Sequence, residues 1–144
     1  MSSEGAPAIK PVPVPDEVTA PFWEAANRGV LAIQHCEACD YYVHPPEALC
    51  PRCQTPDLEF REVSGKARVY THTVVRDNVT AGFAEDEPYV IGIIELIEQE
   101  RLVLVANVVN VGPEDVRIGM PLRVTFERLT EDIALPQFEP DGED

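Results

Sequence analysis

The sequence predicts a mainly β protein: an N-terminal helix, then a four-cysteine metal knuckle, then a Greek-key barrel. Two C-x2-C pairs, Cys36/Cys39 and Cys50/Cys53, enclose the ten residues 40–49. From Lys66 onward come four runs dense in Val, Ile, Leu and Thr, the residues that favour strands. Between the third and fourth runs, Gly112 to Gly119 has a proline and acids at its start and glycine at its end, the pattern of a helix of one to two turns. At 144 residues and 44% hydrophobic, the chain has material for one ordinary core, or for a small core and a metal-stapled module.

The elements follow in order. Residues 1–15 end in Lys10-Pro11-Val12-Pro13-Val14-Pro15, where each proline fixes φ and holds its predecessor extended, so this is an arm. It is either a disordered leader or a stiff strap laid on a partner. Asp16 to Arg28 reads as a short helix with Thr19 or Ala20 near its cap, Pro21 early and Gly29 at its end. Its anchors are Phe22 and Trp23, and adjacent aromatics cannot both face one core. Val30 to His35 and Leu58 to Val63 are strands entering and leaving the cysteine segment. Residues 16–63 therefore form a helix-and-knuckle unit.

The barrel is expected over residues 64–138. Its strands are Lys66–Arg76, Tyr89–Glu98, Arg101–Val111 and Pro121–Leu129, completed either by a last one from Ile133 to Phe138 or by the ribbon's exit strand. Glu98 to Arg101 makes a hairpin turn without the usual glycine. Strands, a short helix, then further strands suggest the OB type of barrel. Residues 139–144 read as a solvated acidic tail.

Net charge is −15, from 26 acidic and 11 basic residues, and its distribution is uneven. Residues 64–130 are nearly balanced, with seven bases against ten acids, whereas 131–144 carry six acids and no base. Thiolates around a divalent ion would make the knuckle more negative still, so extended nucleic acid is a poor partner. No run approaches the roughly 18 apolar residues of a membrane span and no basic-then-apolar leader is visible, which points to the cytoplasm. Thiols stay reduced there, so paired C-x2-C turns favour a metal over disulfides.

Each C-x2-C turn presents two sulfurs, and two turns together make a tetrahedral site of Cys36, Cys39, Cys50 and Cys53. Zinc is the first expectation; iron suits the same ligands. Four thiolates fill the coordination shell and leave a weak Lewis acid, so the ion is structural. His35 and His44 flank the ligands as hairpin-packing or surface side chains. The four cysteines are the only ones, and no Gly-rich phosphate loop, Gly-x-Ser-x-Gly elbow or His-Glu-x-x-His is present, so no catalytic residue is expected.

Alternation along Lys66–Arg76 sends Ala67, Val69, Thr71, Thr73 and Val75 inward and Arg68, Tyr70, His72, Val74 and Arg76 outward. Two arginines, a tyrosine and a histidine along one face make a candidate surface for a phosphate-bearing ligand or a partner. The connection Asp77 to Pro88 is long enough to be a functional loop, and Phe83 stands out in its polar run.

One series of segments carries a resemblance: Pro21-Phe22-Trp23-Glu24, the two C-x2-C pairs, Ser64-Gly65-Lys66-Ala67-Arg68-Val69-Tyr70, Pro88-Tyr89-Val90-Ile91 and Asp115-Val116-Arg117-Ile118-Gly119-Met120-Pro121-Leu122. Over residues 16–138 the chain resembles the DUF35 family, which joins a rubredoxin-like zinc ribbon to an OB-fold. The resemblance implies an accessory subunit of thiolase-superfamily enzymes acting on acyl-CoA, including aldolases that cleave steroid side-chain CoA thioesters. It implies that the partner carries the catalytic residues while this chain positions it, covers its active site or helps hold CoA. A hetero-oligomer, two-plus-two by symmetry, and a separate MaoC-like hydratase belong to the same expectation. Two other classes share the parts: nucleic-acid-binding ribbon or OB proteins, opposed by the acidic charge, and rubredoxin-like electron carriers, which would hold iron.

Overall fold

A computed structural model of the chain describes residues 10–77, 80, 82–83 and 88–142. It contains one helix, α1 (Ala20–Asn27), and eight strands: β1 (Ala32–Cys36), β2 (Tyr41–Val43), β3 (Leu58–Glu62), β4 (Lys66–Val75), β5 (Tyr89–Leu96), β6 (Val103–Val108), β7 (Pro121–Arg128) and β8 (Ala134–Pro140). The first three form an antiparallel sheet in the order β2-β1-β3, and the remaining five close a barrel in the order β4-β5-β6-β8-β7. β6 and β8 run parallel and every other barrel pair is antiparallel, the connectivity of a five-stranded OB-type Greek key.

The helix is shorter than its sequence pattern because the first turn is used as a cap. The Asp16 carboxylate accepts from the Thr19 N–H at 2.8 Å, and the Thr19 hydroxyl accepts from the Asp16 N–H at 3.0 Å. At the other end Gly29, at φ +79°, donates to Ala26 O and Val30 donates to Ala25 O, the paired bonds of a Schellman stop. Asn27 is then held by the barrel, since Arg128 donates to its side-chain oxygen at 2.6 Å and to its carbonyl at 3.0 Å.

Phe22 faces inward, 8% exposed, while Trp23 lies partly buried edge-on to it, with ring centroids 5.1 Å apart. Leu31, Ile33 and Val63 join Phe22 in one apolar cluster with Val69, Ile94, Leu96, Leu104, Leu122 and Phe138 of the barrel. Helix, ribbon and barrel thus share a single core. Truncation of its largest member, Phe138, which is 0% exposed, costs on the order of 3–5 kcal/mol.

Three expectations need correction. The first is the inward–outward register of β4. Val69 pairs with Ile94 but Thr71 pairs with Ile93, so Tyr70 is an extra residue and the alternation inverts past it. Thr71 and Thr73 are exposed, whereas His72 is half-buried opposite Gly92 and Val74 packs on the core. The bulge sits where Val69 stops pairing with β7 and instead bonds Gly119 N–H at 2.7 Å and Met120 O at 3.1 Å. The second is the helix expected over 112–119, which is a single 3-10 turn, Pro113–Asp115; Val116 is already extended and Gly119, at φ +89°, turns the chain into β7.

The third is the acidic tail, because β8 runs on to Pro140. Glu139 accepts from Arg123 at 2.9 Å and from Asn110, contacts that hold its carboxyl below the usual range, Arg123 first. Asp141, 13% exposed, takes Lys66 at 3.4 Å. Basic partners on β4 and β7 pull residues 139–141 onto the barrel.

The glycine-free hairpin turn forms as expected, with Arg101 itself in the left-handed region at φ 65°. Its N–H is taken by the Glu95 carboxylate at 2.8 Å.

Candidate metal centre and exposed faces

Each cysteine pair sits on a turn that needs one left-handed residue. β1 ends at Cys36, and the turn to β2 passes through Cys39 and Asp40, at φ 52°. The second turn runs from Cys50 to Gln54, at φ 66°, closed by Gln54 N–H to Cys50 O at 2.8 Å. Asp, Asn and Gln tolerate this conformation better than β-branched residues, and neither position carries one.

The four sulfurs lie within 4.8 Å of one another, and those of Cys36 and Cys53 are 3.7 Å apart. A tetrahedron with Zn–S bonds of about 2.3 Å has edges of about 3.8 Å. The donor set therefore fits a four-coordinate thiophilic ion, and the ribbon's cysteines are the residues that would hold it. Arg52 N–H donates to Cys50 Sγ at 3.3 Å, and the Cys53 and Arg52 amides pull the Cys50 thiol down to about 6. Cys39 is pushed up to about 12, first by its bond with the Cys53 sulfur and then by burial. Four crowded sulfurs resist sharing negative charge, and a bound dication relieves that resistance. Cys36 and Cys50 are buried, Cys39 is half-buried and Cys53 exposed, so the site lies at the rim of the ribbon.

Neither flanking histidine belongs to the sulfur cluster. His35, 1% exposed, bonds Asp40 at 3.0 Å and meets the Tyr42 ring edge-on at 4.7 Å, which braces the first turn. His44 lies against Phe22 with centroids 5.6 Å apart, and burial pulls its pKa down to about 4. In the unfolded chain it titrates near 6.5, so between pH 6.5 and 4 unfolding takes up a proton. Stability is therefore full above pH 6.5 and falls by about 3 kcal/mol as pH drops towards 4. Urea titrations across that window should show this fall in the native protein and a smaller one in His44→Phe; equal slopes would refute the assignment.

Two amide clamps escaped the sequence reading. Gln34 on β1 pairs through its side chain with both backbone groups of Glu47, each at 2.8 Å. Gln99, in the barrel hairpin, does the same with Tyr42 on β2, accepting at 2.8 Å and donating at 3.1 Å. A glutamine amide can imitate a strand's paired donor and acceptor, and Gln99 thereby ties ribbon to barrel. Gln99→Ala should cost roughly 1–3 kcal/mol by leaving two backbone groups unpaired. Hydrogen exchange at the Tyr42 amide should accelerate; unchanged exchange would disprove the clamp.

The candidate ligand face is divided by the β4 bulge. Arg68 and Tyr70 are exposed, beside the turn bearing Ile118, which is 69% exposed. Arg76 is exposed at the far end of the strand, next to Val75, which pairs with Tyr89. Eight residues of strand separate the two arginines by about 26 Å. His72 turns inward between them, and its Nδ1 is buried without a hydrogen-bond partner among the described residues. Most of the connection 77–88 lies outside the described residues; Phe83 is half-buried and faces Tyr89 at 6.2 Å. Lys10, at the end of the arm, lies 5.5 Å over the Phe83 ring.

A second surface was not anticipated. An open cleft of about 250 Å³ lies between α1, the 44–46 segment, β6 and β8, lined by Phe22, Trp23, Pro45, Val105 and Leu135 among others. It continues through Val105, Ala106, Leu135 and Pro136 into one of about 360 Å³ under Tyr89 and Ile91. Its trace in the sequence is Tyr89-Val90-Ile91-Gly92-Ile93-Ile94 and Val103-Leu104-Val105-Ala106, which are apolar at every position instead of every second one.

A four-cysteine ribbon packed through a common core on an OB barrel defines a class of two-part zinc-ribbon proteins. The chain belongs to the DUF35 family. Residues 23–59 match the model of the ChsH2 rubredoxin-like zinc ribbon domain and residues 60–127 that of the ChsH2 C-terminal OB-fold domain. A DUF35 domain-containing scaffold protein of Methanocaldococcus jannaschii is 40% identical over 120 residues, covering 81% of this chain and 82% of that one. A probable enoyl-CoA hydratase alpha subunit of Thermomonospora curvata is 35% identical over 133 residues, or 92% of this chain, which spans only 40% of that protein's length. Among solved structures, a chain of the Ltp2-ChsH2(DUF35) aldolase superposes with TM-score 0.80 at 34% identity, covering 89% of this chain and 98% of that one.

Proposed function

We propose that this chain is an accessory, scaffolding subunit of a thiolase-like enzyme acting on acyl-CoA, with the partner carrying the catalytic residues. The observation that carries the reading is the superposition on the DUF35 chain of an aldolase assembly, over 98% of that chain's length. The reaction assigned is cleavage of a carbon–carbon bond in a CoA thioester such as a steroid side chain, with condensation or acyl transfer as the related chemistry. Zinc in the ribbon serves the fold. The chain helps form or cover the partner's CoA site, with exposed Arg76, next to the Val75 that pairs with Tyr89, as a candidate to meet a CoA phosphate.

The assembly is a hetero-oligomer, two-plus-two by symmetry, with any hydratase held as a further partner. No described helix is long and apolar enough to cross a membrane, and four reduced cysteines gathered for a metal suit the cytoplasm. The test is isolation from the native host with identification of whatever co-purifies, followed by co-expression. A thiolase-like protein that gains aldol-cleavage activity only with this chain is the expected result. A chain that leaves every neighbouring thiolase-like protein unbound, with its activity unchanged, refutes the proposal.

A further inference from the structure

The apolar cleft between α1 and the outer faces of β6 and β8 has the core residues Phe22 and Leu104 in its wall and leaves further apolar side chains uncovered. Val105, in its floor, is 71% exposed, and Trp23 forms one wall. A valine so exposed in mid-strand gains little from folding, and beside an apolar cleft it adds to the area a partner can bury. Among the described residues the two connected clefts carry no charged side chain, in a protein with 26% charged residues and net charge −15. Charge depletion with aromatic enrichment is the signature of the buried centre of a protein interface. The adjoining cleft supplies the matching polar rim: Lys10, Asn107, Glu127 and Gln137 line it, and Gln137 donates to Glu127 at 2.8 Å.

We infer that this cleft is the surface on which the thiolase-like partner docks, receiving an apolar, uncharged segment of that subunit with Val105 and Trp23 as its central contacts. The inference rests on the accessory-subunit reading and adds the place of contact. Among the described residues β6 and β8 pair only at Val108 and Phe138, so along the cleft their facing edges carry no ladder, and a partner can be met there by backbone as well as by side chains. A second copy of this chain would carry its own net charge of −15 into the contact, and an anionic membrane surface would repel the chain likewise. The DUF35 chain of the aldolase assembly is matched over 98% of its length, so the surface that relative has for assembly is the surface of this same module.

The experiment uses the full chain, loaded with metal, and the purified thiolase-like subunit identified by co-purification, with affinity measured by calorimetry. Val105→Glu places a charge in the cleft. Ile118→Glu places the same charge at an equally exposed apolar residue across the barrel, 69% against 71%. Val105→Glu should weaken binding by about 30-fold or more, while Ile118→Glu binds like the native chain. Both should keep native melting temperature and metal content. A folded Val105→Glu chain that binds normally overturns the inference and leaves the accessory role standing. A native chain that binds no thiolase-like subunit overturns both. A native chain that self-associates, and that Val105→Glu turns into a monomer, assigns the cleft to a second copy and overturns the inference.

Discussion

Cys39→Ser will lose the metal and unfold the ribbon's loops while the barrel persists. Three sulfurs remain after the substitution, and a serine hydroxyl is a poor ligand for a soft site. Ribbon strands of five, three and five residues cannot stabilise residues 37–57 alone, since the apolar anchors Leu31, Ile33 and Val63 lie outside that stretch. Metal binding to such a site supplies roughly 10–16 kcal/mol, which no contact within the segment replaces. Native protein should contain one equivalent of zinc, and Cys39→Ser close to none. Hydrogen exchange should rise through residues 37–57 and stay slow at Ile94 and Leu122. Stoichiometric metal and unchanged exchange in the variant would refute a structural site. A red protein with charge-transfer absorbance would identify iron and an electron carrier instead.

Gly65→Ala will destabilise the chain far more than Gly29→Ala, although the two glycines have nearly the same backbone angle, φ +81° and φ +79°. At Gly29 nothing lies within 4 Å of an added Cβ, so the cost is that of the left-handed conformation, about 1 kcal/mol. At Gly65 the added atom would overlap the Val124 side chain, and Val124 N–H is bonded to Gly65 O at 2.9 Å, so the two backbones cannot part without breaking the start of the β4–β7 pairing. Overpacking adds roughly 1–3 kcal/mol. Urea midpoints of the two variants measure the difference, and equal midpoints would show that Val124 moves aside freely.

Much of the fold is legible in the residues. The apolar runs fix β4 to β7 to within a few positions, and Pro21 and Gly29 frame the helix. What failed had a common cause: it depended on partners remote in sequence. The bulge at Tyr70 is set by Gly119 and Met120, fifty residues on, and no local alternation can register it. Glu139 and Asp141 look like tail until Arg123 and Lys66 are beside them. β2 is only Tyr41 to Val43, too short for a pattern, and stands because of Gln99.

The metal ligands were fully legible, because two short turns bring them together by local geometry. The outward row along β4 was not, since the bulge at Tyr70 turns His72 and Val74 inward. The apolar cleft was present in the sequence as strands apolar on both faces, a pattern equally produced by burial within the fold.

The shared core bears on how this protein can be taken apart. The boundary between its two matched regions, at residues 59 and 60, falls in the middle of β3, between Glu59, paired with His35, and Phe60, paired with Gln34. Severing the chain there would halve a strand and strip Phe22, Leu31 and Ile33 from the barrel's interior. Ribbon and barrel consequently share one core, and recombination at that point should leave each piece with an incomplete one. Grafts that preserve the molecule must be joined before the helix or beyond β8.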